Sequence, residues 1–200
     1  MGHQYLMFLV SKNPYFLKHT VSQHTQDPVI FNFSDKNSTK LFSEFPDDLL
    51  NKAENLPITA NFHNWSLLTK DFLADGSPYK KFYKLLSTSL DAEGVSYVSN
   101  TEALNYPFFT AQFHPEVTEF TFSYNFTDHS EPAVEFANQL SLKFVGEAKK
   151  NSQRFASYDE LVGRLVQKAG VDQLGVDSDG SFYDNYFFHV GNRTHSVYVS

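Results

Sequence analysis

Apolar side chains recur at helical spacing in several parts of the chain, and each part is expected to form a helix. Residues 2–12 carry four such positions and end at Asn13-Pro14. The four positions are Tyr5, Leu6, Leu9 and Val10. The clearest pattern lies in residues 131–151, where a wide apolar face precedes two lysines. Residues 47–54 and 158–168 are predicted as further helical segments, and residues 39–45 as a short helix or turn.

Alternating or continuous apolar runs predict strands between the helices. The predicted strands are residues 28–33, 56–68, 84–89, 94–100 and 106–113. The third and fourth are expected to form a hairpin across residues 91–93. The last is rich in aromatic residues and leads directly to His114. This mixture of strands and helices predicts an α/β fold, in which functional side chains gather at the C-terminal ends of strands.

The length and organisation of the chain predict one main domain and an extension. Two hundred residues suffice for one domain, and 21 Phe and 11 Tyr supply much of its core. We assign residues 1–155 to that domain and residues 156–200 to a C-terminal extension of unclear structure. Within the extension, residues 181–200 are rich in Tyr and Phe and are interpreted as a packing strand or a disordered end.

The composition excludes several kinds of partner and chemistry. The net charge is −7 and no basic stripe with interleaved aromatics is present, so nucleic acid is not expected to bind. No apolar run approaches a membrane span, and the residues after Met1 lack the pattern of a signal peptide. The absence of cysteine excludes disulfides and any thiol nucleophile within these 200 residues. The scattered histidines lack metal-ligand spacing, and we expect neither a metal nor a cofactor.

Glycosylation sequons are more frequent than composition alone would give. Five Asn-x-Ser/Thr triplets occur, whereas roughly two are expected by chance. They begin at Asn32, Asn37, Asn64, Asn125 and Asn192. The excess favours a protein of the secretory pathway.

Residues 112–116, with the sequence Gln-Phe-His-Pro-Glu, are the strongest candidate for acid–base chemistry. An imidazole such as that of His114 exchanges protons near neutral pH. Pro115 fixes its own φ and biases His114 towards an extended conformation. If the chain stays extended, Glu116 points the same way as His114 and can accept the Nδ1 proton, the orienting role in a catalytic triad. The alternative is that His-Pro-Glu is only a turn.

Residues 106–116, with the sequence Tyr-Pro-Phe-Phe-Thr-Ala-Gln-Phe-His-Pro-Glu, resemble the catalytic-histidine segment of the gamma-glutamyl hydrolases. This family is a branch of the class I glutamine amidotransferase-like superfamily. Further segments resemble the family in the same order: residues 56–66, 97–103 and 144–151. The first of these, Leu-Pro-Ile-Thr-Ala-Asn-Phe-His-Asn-Trp-Ser, is typical of gamma-glutamyl hydrolases and not of amidotransferases in general. The resemblance covers about residues 1–155.

The resemblance implies a hydrolase that cleaves gamma-linked glutamates from folate polyglutamates and similar peptides. Its fold would be a three-layer sandwich of the flavodoxin-like type, truncated at the N-terminus. The family's nucleophile is a cysteine in a Cys-x-Gly-x-Gln/Glu context, and residues 1–4, Met-Gly-His-Gln, match the positions after that cysteine. The cysteine is therefore expected one residue before Met1. His114 would shuttle the proton and Glu116 would orient it. We expect the chain alone to be inactive.

The resemblance also assigns substrate-binding residues, partners and a location. His63, with Asn61 and Trp65, would bind the substrate, and the alternative is a histidine satisfied within a loop. Gln4 is a further candidate, with a helix-surface glutamine as the equal alternative. The partner implied is a gamma-glutamyl peptide or folate polyglutamate, and a homodimer is left open. The implied location is the lysosome, vacuole or extracellular space.

Two other functions remain open at this point. A glutaminase domain that feeds ammonia to a synthase is compatible with residues 2–4, Gly-His-Gln, although residues 59–66 and the sequons argue against it. A non-catalytic fragment that binds gamma-glutamyl peptides, or nothing, is compatible with the missing thiol.

Overall fold

The computed structural model describes residues 1–165 and the backbone of residues 173–176, 182–190 and 193–199. The chain forms two compact units, Met1–Lys150 and Asn151–Ser200. The helices are α1 (Gly2–Ser11), α2 (Asp47–Asn55), α3 (Thr69–Leu73), α4 (Pro78–Phe82), α5 (Pro115–Phe120), α6 (Glu131–Ala148) and α7 (Tyr158–Gly163). The strands are β1 (Lys18–Asp27), β2 (Ile30–Phe31), β3 (Thr59–Ser66), β4 (Tyr83–Leu90), β5 (Ser96–Ala103), β6 (Phe109–Ala111), β7 (Gln173–Val176), β8 (Phe182–Val190) and β9 (Arg193–Val199).

Two antiparallel sheets organise the first unit. β1 and β3 form a two-stranded sheet, with a register shift between Gln23 and Thr25. The second sheet has the strand order β2-β4-β5-β6. A bridge between Leu68 and Tyr97 joins the segment after β3 to β5. β6 is an edge strand of the second sheet, and the chain continues from it to His114.

An aromatic core packs α2 and α6 against the second sheet. The ring of the fully buried Phe42 lies 5.1 Å from that of Phe45 and 6.3 Å from that of Phe136 in α6. Leu49 of α2 and Leu86 of β4 belong to the same cluster. Burying each such side chain contributes about 1.5–3 kcal/mol, so these rings stabilise the contact between helices and sheet.

A second core cluster holds α1. Met7 of α1 is fully buried and belongs to a cluster with Leu67, Tyr79, Tyr83 and Val98. These residues come from the segment after β3, from α4, and from β4 and β5. The packing fixes α1 relative to the second sheet and so fixes where its first turn lies.

Helix α6 is covered mainly over its first turns. Ala133, Phe136 and Ala137 are buried, whereas Leu142 and Phe144 are 65% and 72% exposed. The wide apolar face predicted for this helix is therefore buried only in part. Among the residues described, no helix combines the length and the apolar character that crossing a membrane requires.

Most of the predicted helices are confirmed. Residues 2–12, 47–54 and 131–151 form α1, α2 and α6. For residues 39–45 the turn alternative is observed, because this segment contains bends and a turn at residues 43–44 and no helix. The predicted helix at residues 158–168 is shorter, since α7 ends at Gly163 and residues 166–168 lie outside the described residues.

The strand predictions are confirmed in position more than in length. The hairpin is present as β4 and β5, paired from Tyr83↔Ala103 to Leu90↔Ser96. The predicted strands 28–33 and 106–113 shrink to β2 and β6. β1, α3 and α4 were not predicted. The apolar pattern did not reveal β1 because its sequence, Lys-His-Thr-Val-Ser-Gln-His-Thr-Gln-Asp, contains a single aliphatic residue.

The mixture of helices with antiparallel sheets confirms the α/β prediction at that level. The three-layer sandwich and the truncation stay predictions. The second unit contains α7 and a sheet of order β7-β8-β9, so strands are observed over 182–190 and 193–199. The domain boundary predicted at residue 155 stays a prediction.

Candidate active site

His114 lies between β6 and α5, held by both neighbours in sequence and by β3. Its backbone N–H donates to the carbonyl oxygen of Ala60 in β3 at 2.8 Å. It is the N-cap residue of α5, with φ −107° and ψ 87°. Pro115 follows at the first helical position, where its missing N–H costs no helical hydrogen bond. The imidazole is thereby fixed at the surface, with 36% of its side chain exposed.

Glu116 contacts the imidazole directly. The Nδ1 atom of His114 lies 2.7 Å from Oε1 of Glu116. Because an ionised carboxylate only accepts, Nδ1 is the donor. This hydrogen bond is the main cause that lowers the pKa of the Glu116 carboxyl below its ordinary value. The pairing leaves Nε2 of a neutral imidazole as the atom that can take a proton.

The backbone that makes this contact differs from the predicted one. The extended chain on which the predicted contact was conditional is not observed, because Pro115 begins α5 and Glu116 lies in its first turn. Proline at the first helical position has the φ that a helix needs. A carboxylate in the first turn also interacts favourably with the helix dipole. Glu116 reaches His114 from a helical turn.

The start of α1 lies close to this pair. The positive charge of the Met1 amino group helps to lower the pKa of Glu116, after larger contributions from His114 and others. The same charge helps to lower the pKa of His3 and of His63. A group placed at the beginning of α1 is therefore near all three side chains.

His3 ties the first turn of α1 to β6. Its Nδ1 atom lies 2.8 Å from Oγ1 of Thr110, which lies 2.7 Å from Oγ1 of Thr101 in β5. Burial, followed by the charges of His63 and of the chain terminus, lowers the pKa of His3 to about 3. A neutral His3 thus anchors α1 to the strand that leads to His114.

His63 lies in β3 and is held on both ring nitrogens. Nε2 lies 3.0 Å from Oδ1 of Asn61, and Nδ1 lies 3.0 Å from Oγ of Ser66. Burial first, and then the charge of His114, lowers the pKa of His63 to about 4. His63 is therefore neutral near pH 7 and fixed beside His114.

Asn61 extends this network into the interior. It is 1% exposed, and its Nδ2 donates to Oδ2 of Asp27 and to the carbonyl oxygen of Thr59, both at 3.0 Å. With both amide hydrogens donated, Oδ1 is left to accept from His63 Nε2. Burial raises the pKa of the Asp27 carboxyl. Asn61 thereby sets the tautomer of His63.

Gln4 of α1 contacts Trp65 of β3. The Nε2 atom of Gln4 donates to the carbonyl oxygen of Trp65 at 2.8 Å. The indole of Trp65 is 53% exposed and packs edge-on against His19, with ring centroids 5.6 Å apart. Gln4 therefore connects α1 to the end of the β3 segment that also carries His63.

An aromatic cluster beside His114 was not predicted. The ring of Phe62 lies 5.2 Å from the imidazole of His114, in an edge-on arrangement. Tyr124 and Phe126, from the segment between α5 and α6, lie 5.0 Å and 4.9 Å from Phe62. The only sequence signal for it was the density of aromatic residues at 120–126, which specifies no contact partner.

The structure therefore brings His114, Glu116 and His63 into one site, with Gln4 on the helix that borders it. Asn61 lies beneath His63, within the buried network. Among the residues described, no group of three or more His, Asp or Glu side chains is arranged to hold a metal ion. The site is suited to proton transfer, with an imidazole oriented by a carboxylate.

Four of the sequon asparagines are exposed, namely Asn32, Asn37, Asn64 and Asn125. Asn64 lies in β3, one residue after His63. Asn192 lies outside the described residues.

Comparison with known proteins finds relatives that are named as hydrolases. No family model matches the chain. Curated relatives do, and three of them are the human, rat and mouse proteins called gamma-glutamyl hydrolase. The human protein is 34% identical over 151 residues, which are 75% of this chain and 46% of that protein. The rat protein is 33% identical over 190 residues, or 94% of this chain and 58% of that protein. The mouse protein is 31% identical over 189 residues, with the same two shares of 94% and 58%.

The similarity extends beyond animals. Gamma-glutamyl hydrolase 1 of Arabidopsis thaliana is 26% identical over 97% of this chain. The chain is thus similar to gamma-glutamyl hydrolases over most of its length, which confirms the resemblance inferred from residues 56–66 and 106–116. It spans about half the length of the curated relatives that it matches.

Proposed function

We propose that the chain carries the proton-transfer part of a Cys–His hydrolase that cleaves gamma-glutamyl bonds, including those of folylpoly-gamma-glutamates. The observation that carries the proposal is the 2.7 Å contact between His114 Nδ1 and Glu116 Oε1, close to the start of α1. The names of the relatives supply the bond type. The 200 residues contain no cysteine, so the proposed thiol comes from outside them.

The proposed reaction proceeds in two halves. A thiolate ahead of α1 attacks the gamma-carbonyl carbon, and the carbon–nitrogen bond breaks as protonated His114 gives the Nε2 proton to the leaving amine. Water then attacks the thioester, His114 takes its proton, and the thiolate leaves. Glu116 stabilises the imidazolium formed in each half. The N–H groups in the first turn of α1 can stabilise the negative oxygen of each intermediate.

His63 and Gln4 are the proposed substrate contacts, with Asn61 supporting His63. Asn61 and Ser66 occupy both nitrogens of His63, so a substrate carboxylate that binds this ring would have to take the place of one of them. The exposed sequon asparagines support a secretory or lysosomal location as part of the same proposal. A homodimer stays a prediction.

The test of bond specificity is a titration of the purified chain with two isomeric dipeptides. N-acetyl-gamma-glutamyl-glutamate is expected to shift the imidazole NMR signals of His114 and His63 in a saturable way. Its alpha-linked isomer presents the carboxylates at a different separation and is expected to shift them at least several-fold less. Signals are assigned by their loss in His114→Ala and His63→Ala. Equal responses to both isomers, or none to either, would contradict the proposal.

A further inference from the structure

A chain of hydrogen bonds passes through the imidazole of His63 and links the paired strands β1 and β3. Oγ1 of Thr20 lies 2.9 Å from Oγ of Ser66, which lies 3.0 Å from Nδ1 of His63. On the other side of the ring, Nε2 lies 3.0 Å from Oδ1 of Asn61, whose Nδ2 donates to Oδ2 of Asp27 at 3.0 Å. The hydrogens on the hydroxyl and on the amide therefore decide what each ring nitrogen can bind.

Asp27 sets the direction of this chain. Its Oδ2 atom also accepts from Oγ1 of Thr25 at 2.8 Å and from the hydroxyl of Tyr97 at 3.3 Å. An ionised carboxylate accepts hydrogen bonds and donates none. The second hydrogen of the Asn61 amide goes to the carbonyl oxygen of Thr59 at 3.0 Å. The amide cannot turn over, because its oxygen would then face two acceptors.

The fixed amide decides which nitrogen of His63 carries the hydrogen. Oδ1 of Asn61 can only accept, so Nε2 is the donor and Nδ1 of a neutral ring carries no hydrogen. The hydroxyl of Ser66 must then donate to Nδ1. Burial lowers the pKa of His63 to about 4, so the ring is neutral near pH 7. His63 thus has one donor, which is turned to Asn61, and one acceptor.

The two partners of His63 differ in how readily a ligand can replace them. Asn61 is buried, and its Oδ1 would be left without a donor if Nε2 turned to a ligand, which is costly. The hydroxyl of Ser66 is buried as well, but it has a second partner in Oγ1 of Thr20, and either oxygen of that pair can donate. A ligand that reaches the ring therefore replaces Ser66 at Nδ1.

We infer that His63 binds the substrate as a hydrogen-bond acceptor, with Nδ1 receiving the N–H of the gamma-linked amide. A carboxylate does not fit this atom, because neither partner would carry a hydrogen. The inference rests on the proposed function and adds to it the class of group that meets this ring, a hydrogen-bond donor. Asp27 and Asn61 are positioning residues for this contact.

The contact suits the proton transfer proposed for His114. The charge of His114 helps to lower the pKa of His63, so the two rings lie near one another. An amide N–H that is held by His63 directs the lone pair of the linkage nitrogen away from that ring as the tetrahedral intermediate forms. The nitrogen is then open to the proton from Nε2 of His114.

The test compares two ligands on the full chain, N-acetyl-gamma-glutamyl-glutamate and its ester analogue, in which oxygen replaces the N–H of the linkage. Both ligands carry the same carboxylates. Dissociation constants from NMR titration of His114 are expected to favour the amide about 5- to 30-fold, because the ester places an oxygen against Nδ1. His63→Leu removes the acceptor and is expected to abolish the preference.

His129→Leu is the matched control. It makes the same change at a histidine whose Nδ1 is bonded to the carbonyl oxygen of Thr118, outside the chain of hydrogen bonds. This variant is expected to keep the preference for the amide, and circular dichroism checks that both variants fold.

Nitrogen-15 NMR of the unaltered chain gives a second measurement, which needs no variant to fold. At pH 7 the ring of His63 is expected to show a protonated Nε2 and a bare Nδ1. The Nδ1 signal is expected to shift when the amide ligand binds and to shift less with the ester. A purely structural role of His63 would leave this signal the same with both ligands.

The outcomes separate the inference from the proposed function. Affinity for the ester that equals or exceeds affinity for the amide would overturn the inference and leave the proposed function standing. So would a preference that survives His63→Leu, or a hydrogen on Nδ1 at pH 7. Failure of both ligands to bind the unaltered chain would overturn the proposed function and the inference with it.

Discussion

At the scale of single residues, the pair formed by His114 and Glu116 determines what chemistry the site can perform. The hydrogen bond from Nδ1 fixes the tautomer and leaves Nε2 facing away from the carboxylate. This hydrogen bond is also the largest cause that lowers the pKa of the Glu116 carboxyl. The pair thus behaves as a base with its own orienting group.

His114→Ala is expected to raise the pKa of Glu116 towards its ordinary value, because it removes the largest cause of the lowering. A carbon-13 NMR titration of the Glu116 carboxyl group measures this change. His129→Ala is the control, because the ring of His129 is hydrogen-bonded to the carbonyl oxygen of Thr118 and not to Glu116. A Glu116 pKa that is the same with and without the imidazole would show that the contact is not formed in solution.

At the scale of elements, two buried histidines join α1 and β3 to the rest of the site. His3 links α1 to β6, and His63 belongs to the network of β3. Burial lowers their pKa values to about 3 and about 4, well below the 6.5 of an unperturbed histidine. Both must stay neutral for their hydrogen bonds and burial to persist, so the position of α1 depends on pH.

The free energy of unfolding is expected to fall as the pH drops below about 6.5. The folded-state pKa values lie below the unfolded value, so the unfolded chain binds the protons first. Stability is therefore complete above pH 6.5 and is lost towards pH 4, by about 2–3 kcal/mol per histidine at pH 4.5. Urea unfolding at pH 7 and pH 4.5 measures the loss.

His3→Asn is expected to reduce this acid sensitivity by roughly half, because it removes one of the two buried titrating groups. His19→Asn, at an exposed position, is the control. An unfolding free energy that is equal at both pH values would contradict the account. A steep loss would also bear on the proposed lysosomal location, since the chain would then need a partner or a ligand to remain folded in an acidic compartment.

The sequence predicts well those elements whose burial follows from apolar spacing. α1, α2, α6 and the hairpin of β4 and β5 have such a pattern. β1 does not, because polar side chains such as Thr20 and Ser22 are buried within it. The partner that makes this possible, Ser66 of β3, lies 46 positions from Thr20, and no local pattern reveals that pairing.

The site was predicted to a similar extent. His114 and Glu116 could be named from a short motif and its neighbours, because they are only two positions apart in the sequence. The conformation between them could not, since Pro115 is compatible with a strand end and with a helix start. His3 and Phe62 were missed because their roles come from Thr110 and His114, which are distant in sequence.

At the scale of the whole molecule, the chain matches relatives about twice as long and contains the histidine, the carboxylate and the helix start of the site. It contains no cysteine. The purified chain is therefore expected to show no hydrolysis of gamma-glutamyl peptides above the uncatalysed rate, as measured by release of free glutamate. Turnover that His114→Ala abolishes would contradict this and would require a nucleophile other than a thiol.

The most direct test of the central claim restores a thiol at the start of α1. A chain with one N-acetylated cysteine added before Met1 is alkylated with iodoacetamide over a range of pH, with Ser152→Cys in the unextended chain as an exposed reference. If His114 serves a nucleophile at this position, the midpoint of alkylation lies at a pH below about 8.5, the pKa of an ordinary thiol. His114→Ala is then expected to raise this midpoint by about one pH unit or more. A midpoint that His114→Ala does not change would contradict the assignment of His114 as the proton shuttle.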